Sequence, residues 1–203
     1  MANQPNMEKL REGVRKCLPE VEQIKDTELR DKVMEAWALA LSESEFMSID
    51  EIPAQAAPEH PLFKAGQGTQ SGHFRGVARI AQGIADGLEA IHPSVKIDRD
   101  LLWACALCHD LGKPYEMSPR NQARWKADTV TYGYPAIRHP GYGIHVAFMA
   151  KLPEVVAQTA GYHSMEGEWV KRSLLTTIVH FADYSYWHLV DRVGLLVAPM
   201  YAK

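Results

Sequence analysis

Apolar residues recur every three or four positions through most of this chain, which is the period of an amphipathic helix. In "DTELRDKVMEAWALALSES", Leu29, Val33, Trp37, Ala40 and Leu41 share one face behind a cap at Asp26 or Thr27, predicting a helix of about 15 to 18 residues. A shorter helix is expected over Met7 to Cys17. The stretch "IDEIPAQAAPEHPLFKAGQGTQSG" then breaks the period with proline and glycine and reads as a long loop.

From His73 the pattern returns. His73, Val77, Ile80, Ile84, Leu88 and Ile91 advance by three or four and predict an inward stripe that starts with the histidine. In "IDRDLLWACALCHDLGK" a cap at Asp98 precedes Leu102, Cys105, Ala106 and His109, with Asp110 about 100° further round. Gly112 and Pro114 are expected to end that helix, leaving His109 and Asp110 in its last turn. Residues 114–138 show no clean period and read as mostly loop, "QARWKAD" supplying at most a turn or two of helix.

"HPGYGIHVAFMAKL" restarts a helix, with Pro140 suited to its first turn and His139, Gly143, Val146 and Ala150 in one stripe. "PEVVAQTAGYHS" groups Val156, Thr159, Ala160 and His163. A long apolar helix is expected from Val170 to about Leu196, placing Thr176, Val179, His180, Asp183, Trp187 and Val190 on one face. With no strand set and no internal repeat, the class is all-α: an N-terminal helical extension and loop over residues 1–60, and a helical bundle over 61–203.

Composition narrows the class of function. Hydrophobic residues at 46% and charged residues at 23% suit one folded core. The balance of 22 basic against 25 acidic residues, a formal charge of -3, advertises no surface for a nucleic-acid polymer or an anionic membrane. The opening residues lack a signal-peptide core and no segment reaches about 18 uninterrupted apolar residues, so a cytoplasmic protein is expected. Assembly into a homo-oligomer is left open.

Candidate chemistry centres on "CALCHDLGK", Cys105 to Lys113. Its first five letters fit the haem-attachment pattern C-x-x-C-H, and its thiols fit half of a zinc site. A cytoplasmic location weighs against haem, and Cys17 alone remains to complete a cysteine-based zinc site, so both thiols read as packing. His73, His109, His139 and His163 each begin or end a predicted helix on its apolar face, and Asp183 lies buried in mid-helix. An ionised Asp in an apolar stripe is costly unless paired or bound to metal, and inward imidazoles beside it make metal the economical explanation. With Asp110 the donors are too many for one tetrahedral ion; two ions bridged by Asp110 fit, with iron, manganese or zinc suited to nitrogen and oxygen ligands. His60 and His92 stand beside prolines, His145 leaves the His139 stripe and His188 lies beyond Asp183; His180 reads as core packing before it reads as support for a ligand. Trp187, Tyr184 and Tyr186 read as packing, Arg75 and Arg79 as exposed, and Tyr132, Tyr134 and Tyr142 as residues that could wall a pocket.

"SGHFRGVARIA", "ALCHDLGK", "RHPGYG", "GYHSMEG" and "VHFADY" occur in an order that resembles the HD superfamily of metal-dependent phosphohydrolases over about residues 70–190. The two intermediate histidines resemble its dinuclear branch. The resemblance implies an HD-domain bundle in which His73, His109, Asp110 and Asp183 hold one ion, while Asp110 bridges to a second held by His139 and His163, iron or manganese foremost. It also implies hydrolysis of a nucleotide or other small phosphate ester by a metal-activated water, with Asp110 at the centre. Lys113 is placed either to meet a substrate anion or to satisfy a helix C-terminus, and Arg138 either to grip phosphate or to serve structure. A mixed-valent di-iron oxygenase that cleaves a C-C or C-P bond resembles the same pattern, and a regulatory module stapled by metal is the third reading.

Overall fold

Side-chain caps decide where most of the helices begin. The protein is described here by a computed structural model covering residues 6–200, so the outermost parts of the expected division, residues 1–5 and 201–203, lie outside the described residues. Asn6 accepts from the amides of Glu8 and Lys9 to open α1 (Met7–Cys17), and Asp26 accepts from Glu28 and Leu29 to open α2 (Thr27–Ser42). Thr69 caps α3 (Gln70–Ile91) and Asp98 caps α4 (Arg99–Cys108) in the same way. Among the described residues there is no β-strand, only an isolated antiparallel bridge between Phe63 and Leu196, and no helix is long and apolar enough to cross a membrane.

Three expectations are corrected. The stretch 114–138 is mostly helix: α5 (Lys113–Met117), α6 (Pro119–Ala127) and α7 (Thr129–Tyr132) follow one another, capped at Ser118 and Asp128. Pro114 and Pro119 open helices, because a first-turn residue has no intrahelical N–H bond to lose. In α3 the helix begins three residues before His73, and its buried stripe is His73, Phe74, Val77, Ala78, Ala81 and Ala85, whereas Ile80, Ile84 and Leu88 lie at the flank and Ile91 is 75% exposed. Small side chains win the inner face because α4 and α10 press against it; a Cβ on Gly76 would stand 2.4 Å from the Tyr186 ring. The last helix, α10 (Leu174–Arg192), is shorter than expected, preceded by a 3-10 turn at Met165–Trp169 and followed by a tail that turns at Gly194, whose φ is +74°.

The remaining helices run as read: α8 (His139–Met149) with Pro140 in its first turn, and α9 (Glu154–Tyr162). Leu10, Val14 and Trp37 share one core with Phe74, Leu107, Val156 and Val179. The Trp37 ring lies 4.9 Å from that of Phe74, and its Nε1 donates to the Leu107 carbonyl at 2.9 Å, so α2 bears directly on the end of the helix that leads into the His-Asp doublet. A smaller cluster of Phe63, Trp187, Val190 and Leu196 joins the long loop to α10 and the tail.

Candidate metal centre

Helix ends deliver five of the six expected ligands. His73 sits in the first turn of α3, His109 is the C-cap of α4 with Asp110 in the turn beyond it, His139 opens α8 and His163 closes α9. Asp183 comes from mid-α10. Gly112 makes the convergence of the α4–α5 turn with α8 possible: a Cβ there would lie 2.0 Å from the His139 carbonyl oxygen. All six residues are buried, none more than 8% exposed.

Their polar atoms point at one another. His73 Nε2 lies 3.4 Å from Asp110 Oδ2, 3.4 Å from Asp183 Oδ1 and 3.2 Å from His109 Nε2. His109 Nε2 is 3.4 Å from Asp110 Oδ2, while His139 Nε2 and His163 Nε2 approach Asp110 Oδ1 at 3.1 and 3.5 Å. Two triads, His73 with His109 and Asp183, and His109 with Asp110 and His163, keep their ligand atoms within 4.8 Å of one another.

The opposite edge of each ring decides what this cluster can hold. His109 Nδ1 donates to the Ala106 carbonyl at 2.7 Å, His163 Nδ1 to the Thr159 carbonyl at 3.0 Å, and His139 Nδ1 to Glu116 Oε2 at 2.5 Å. With the proton on Nδ1, the neutral form of each ring would turn an Nε2 lone pair toward carboxylate oxygens, which repel it. His139 Nε2, Asp110 Oδ1 and Asp183 Oδ1 are buried with no hydrogen-bond partner. A cation between them resolves both the repulsion and the missing partners, and the nitrogen and oxygen donor set fits a transition metal.

The rings and carboxylates shift one another: burial works to lower the His109 imidazole, but Asp110 and Asp183 outweigh it and hold it above its ordinary value. Burial works to raise the Asp110 carboxyl, but Lys113, His109 and His139 outweigh it and hold it well below the usual carboxylate range. Glu116, fully buried, is likewise held low against its burial by His139, Arg138 and Lys113. Burial keeps the His73 and His139 imidazoles below their ordinary value and therefore neutral, the state in which they ligate. Burial pushes the Cys105 thiol up to about 12, consistent with packing in place of ligation.

Around this centre opens a pocket of about 240 Å³, with Asp110, His139, His163 and Asp183 among its lining residues. Arg138 reaches it with 31% of its side chain exposed, its Nε 3.0 Å from Glu166 Oε1 and its Nη1 3.4 Å from Glu116 Oε1. Lys113 does not line it; its side chain is 1% exposed, 3.7 Å from Asp110. Tyr184 and Trp187, read as packing, form pocket wall, and Trp187 also packs its ring 4.6 Å from that of His73. Tyr132, Tyr134 and Tyr142 are not among the lining residues; Tyr134 bonds Gln122, and Tyr142 bonds Glu43 while stacking on Tyr115. His180 donates from Nδ1 to the His163 carbonyl, steadying a ligand through its backbone.

Glu116, Glu166 and the loop residues Ala56 and Ala57 escaped the sequence reading, and His60, set aside there for standing beside a proline, lines the pocket. Glu116 carries one faint signal, a carboxylate six residues past Asp110 in the segment taken for loop. The loop residues carry none.

The HD domain family matches residues 71–186, a span that holds all six expected ligands and excludes Ala56, Ala57, His60, Trp187 and Met200 of the pocket. A dihydroneopterin 2',3'-cyclic phosphate phosphodiesterase of Methanocaldococcus jannaschii is 30% identical over 169 residues, which cover 80% of this chain and 64% of that protein. The chain thus spans somewhat less than two thirds of the length of that relative. No solved structure matches the chain.

Proposed function

This chain belongs to the HD domain family, and from that premise we propose that it is a metal-dependent phosphohydrolase acting on a small phosphate diester. His73, His109, Asp110 and Asp183 would hold one ion, with Asp110 shared by a second at His139 and His163. The observation that carries the reading is the trio of imidazoles, His109, His139 and His163, fixed at Nδ1 with their Nε2 atoms facing Asp110. Divalent ions bound there, iron or manganese first, supply Lewis acidity and an activated water.

The chain's own residues do the rest. Glu116 fixes the His139 tautomer, and the Ala106 and Thr159 carbonyls do so for His109 and His163. Arg138, at the pocket wall, offers its planar cation to a phosphate oxygen, and the Glu166 and Glu116 carboxylates hold it in place. Trp187, Tyr184 and Met165 give the organic part of a substrate an apolar surface, and a pocket of about 240 Å³ suits a small molecule, not a polymer. The cyclic phosphate named for the archaeal relative supports a strained diester on a heteroaromatic carrier as the first substrate class to try.

Protein purified without chelator is expected to carry transition metal and to hydrolyse 2',3'-cyclic nucleotides or bis(p-nitrophenyl) phosphate under anaerobic conditions, with loss on chelation and recovery with manganese or ferrous iron. Turnover that requires dioxygen and consumes it in step with product would replace the hydrolase by the di-iron oxygenase.

A further inference from the structure

Lys113 buries an ammonium group whose charge is already spent. Its side chain is 1% exposed, and Nζ donates to the carbonyl of Gln55 at 2.8 Å and to that of Ala56, while Asp110 Oδ2 stands 3.7 Å away. Two of its three donors thus have carbonyl partners, and the carboxylate balances the charge at ion-pair distance. A buried ammonium is costly unless so paired, and the two carbonyls it serves belong to a segment with little regular structure of its own.

That segment, residues 53–64, supplies Ala56, Ala57 and His60 to the pocket. Its far end is tied to the C-terminal tail: Lys64 N donates to the Leu195 carbonyl at 2.8 Å, Val197 N donates to that of Leu62 at 2.9 Å, and Phe63 packs in one cluster with Trp187 and Leu196. The tail brings Met200 to the same pocket, its amide bound to Asp191 Oδ1 at 2.8 Å. Loop and tail form one clasp. Its four pocket residues all lie outside the span matched by the family, so this wall is supplied from beyond the family core.

We propose that Lys113 is a positioning residue, a latch that fastens the 53–64 segment over the metal centre and so fixes the wall that selects the organic part of the substrate. Phosphate recognition falls to Arg138. The inference rests on the pocket being the substrate site, but its test does not depend on turnover.

Hydrogen exchange on the metal-loaded protein, with metal content matched, tests it. In Lys113→Met, amides in peptides covering residues 54–60 should exchange at least about tenfold faster than in the unaltered chain, the scale set by losing charge-assisted hydrogen bonds, while peptides from α3 stay protected. Lys113→Arg, able to donate to both carbonyls, should restore most of the protection, and Lys113→Gln part of it; either serves if the Met variant does not fold. Inorganic phosphate should inhibit or bind Lys113→Met as it does the unaltered chain. Unchanged exchange over 54–60, or loss of phosphate binding in the Lys113 variants, would overturn the latch in favour of a direct phosphate contact. Failure to find phosphodiesterase activity would strike the proposed function and leave the exchange result to decide the latch.

Discussion

Two buried carboxylate clusters flank α3, and only one of them asks for a ligand. On its outer side Glu20, 4% exposed, receives Arg75 Nε at 2.8 Å and Arg79 Nε and Nη2 at 3.1 and 2.8 Å, so both of its oxygens are satisfied. On its inner side Asp110 and Asp183 face imidazole nitrogens, and each keeps an oxygen without a hydrogen-bond partner. His73 and Arg75, two residues apart, point to opposite sides of the same helix and serve the two clusters. Burial of charge is common to both, so burial does not mark function. What separates them is whether the donors and acceptors close on themselves. The arginines, expected to be merely exposed, remain partly so, yet they complete the Glu20 cluster with fixed positive charge; the inner cluster, built of imidazoles and carboxylates, keeps buried acceptors with no hydrogen-bond partner.

The largest effect expected from this contrast comes from removing the shared carboxylate. Asp110→Ala should lose most bound metal and lower phosphodiesterase turnover by about a thousandfold or more, the scale of several kcal/mol of transition-state stabilisation. Glu20→Ala should retain the full metal content. Metal analysis of both variants after identical purification checks the pair, and equal metal loss in the two would erase the distinction between the clusters.

A smaller effect belongs to Glu116, which links the centre to Arg138 by holding His139 Nδ1 and standing 3.4 Å from the guanidinium. Glu116→Gln keeps an acceptor but removes the charge and lets the amide present a donor to the ring. Metal affinity should fall by about 10- to 100-fold, read by competition with a chromogenic chelator. Affinity unchanged within about twofold would mean that the His139 ring is oriented by packing alone.

These contrasts also explain what the sequence could and could not disclose. Caps at Asp26 and Asp98 and the apolar stripes of α2, α8, α9 and α10 were legible because each is local, with cap and stripe lying within a few turns. The six convergent donors were legible for the same reason, each standing at a helix end or on a stripe. The phase of α3 was misjudged because Ile80, Ile84 and Leu88 are more apolar than Ala78, Ala81 and Ala85, whereas close packing selects for size. Glu116 was missed because a five-residue helix has no stripe to mark its inner face. The bonds from Lys113 to the carbonyls of Gln55 and Ala56, and from Lys64 to the tail some 130 residues away, leave no periodic trace.

The smallest effect tests whether the outer cluster is an ordinary ion pair. Burial works to raise the Glu20 carboxyl, but the hydrogen bonds from Arg75 and Arg79 outweigh it and hold it below its usual value. A carboxyl that titrates lower in the folded than in the unfolded chain binds fewer protons when folded, so its contribution is present above the unfolded value of about 4.3 and lost as pH falls through the folded one. Both arginines are partly exposed, Arg79 by 68% of its side chain, and solvent screening limits the contribution to about 1 kcal/mol. Glu20→Gln cannot titrate, so the stability gap between the two proteins should be about 1 kcal/mol at pH 7 and close by about pH 3, the other carboxyls titrating alike in both. Urea midpoints at the two pH values measure it, and added salt at pH 7 should narrow the gap because the charges are screened. A gap that persists at low pH would mean that Glu20 acts through shape, and the contrast with Asp110 would then be one of packing against charge, no longer one of two charge clusters solved in different ways.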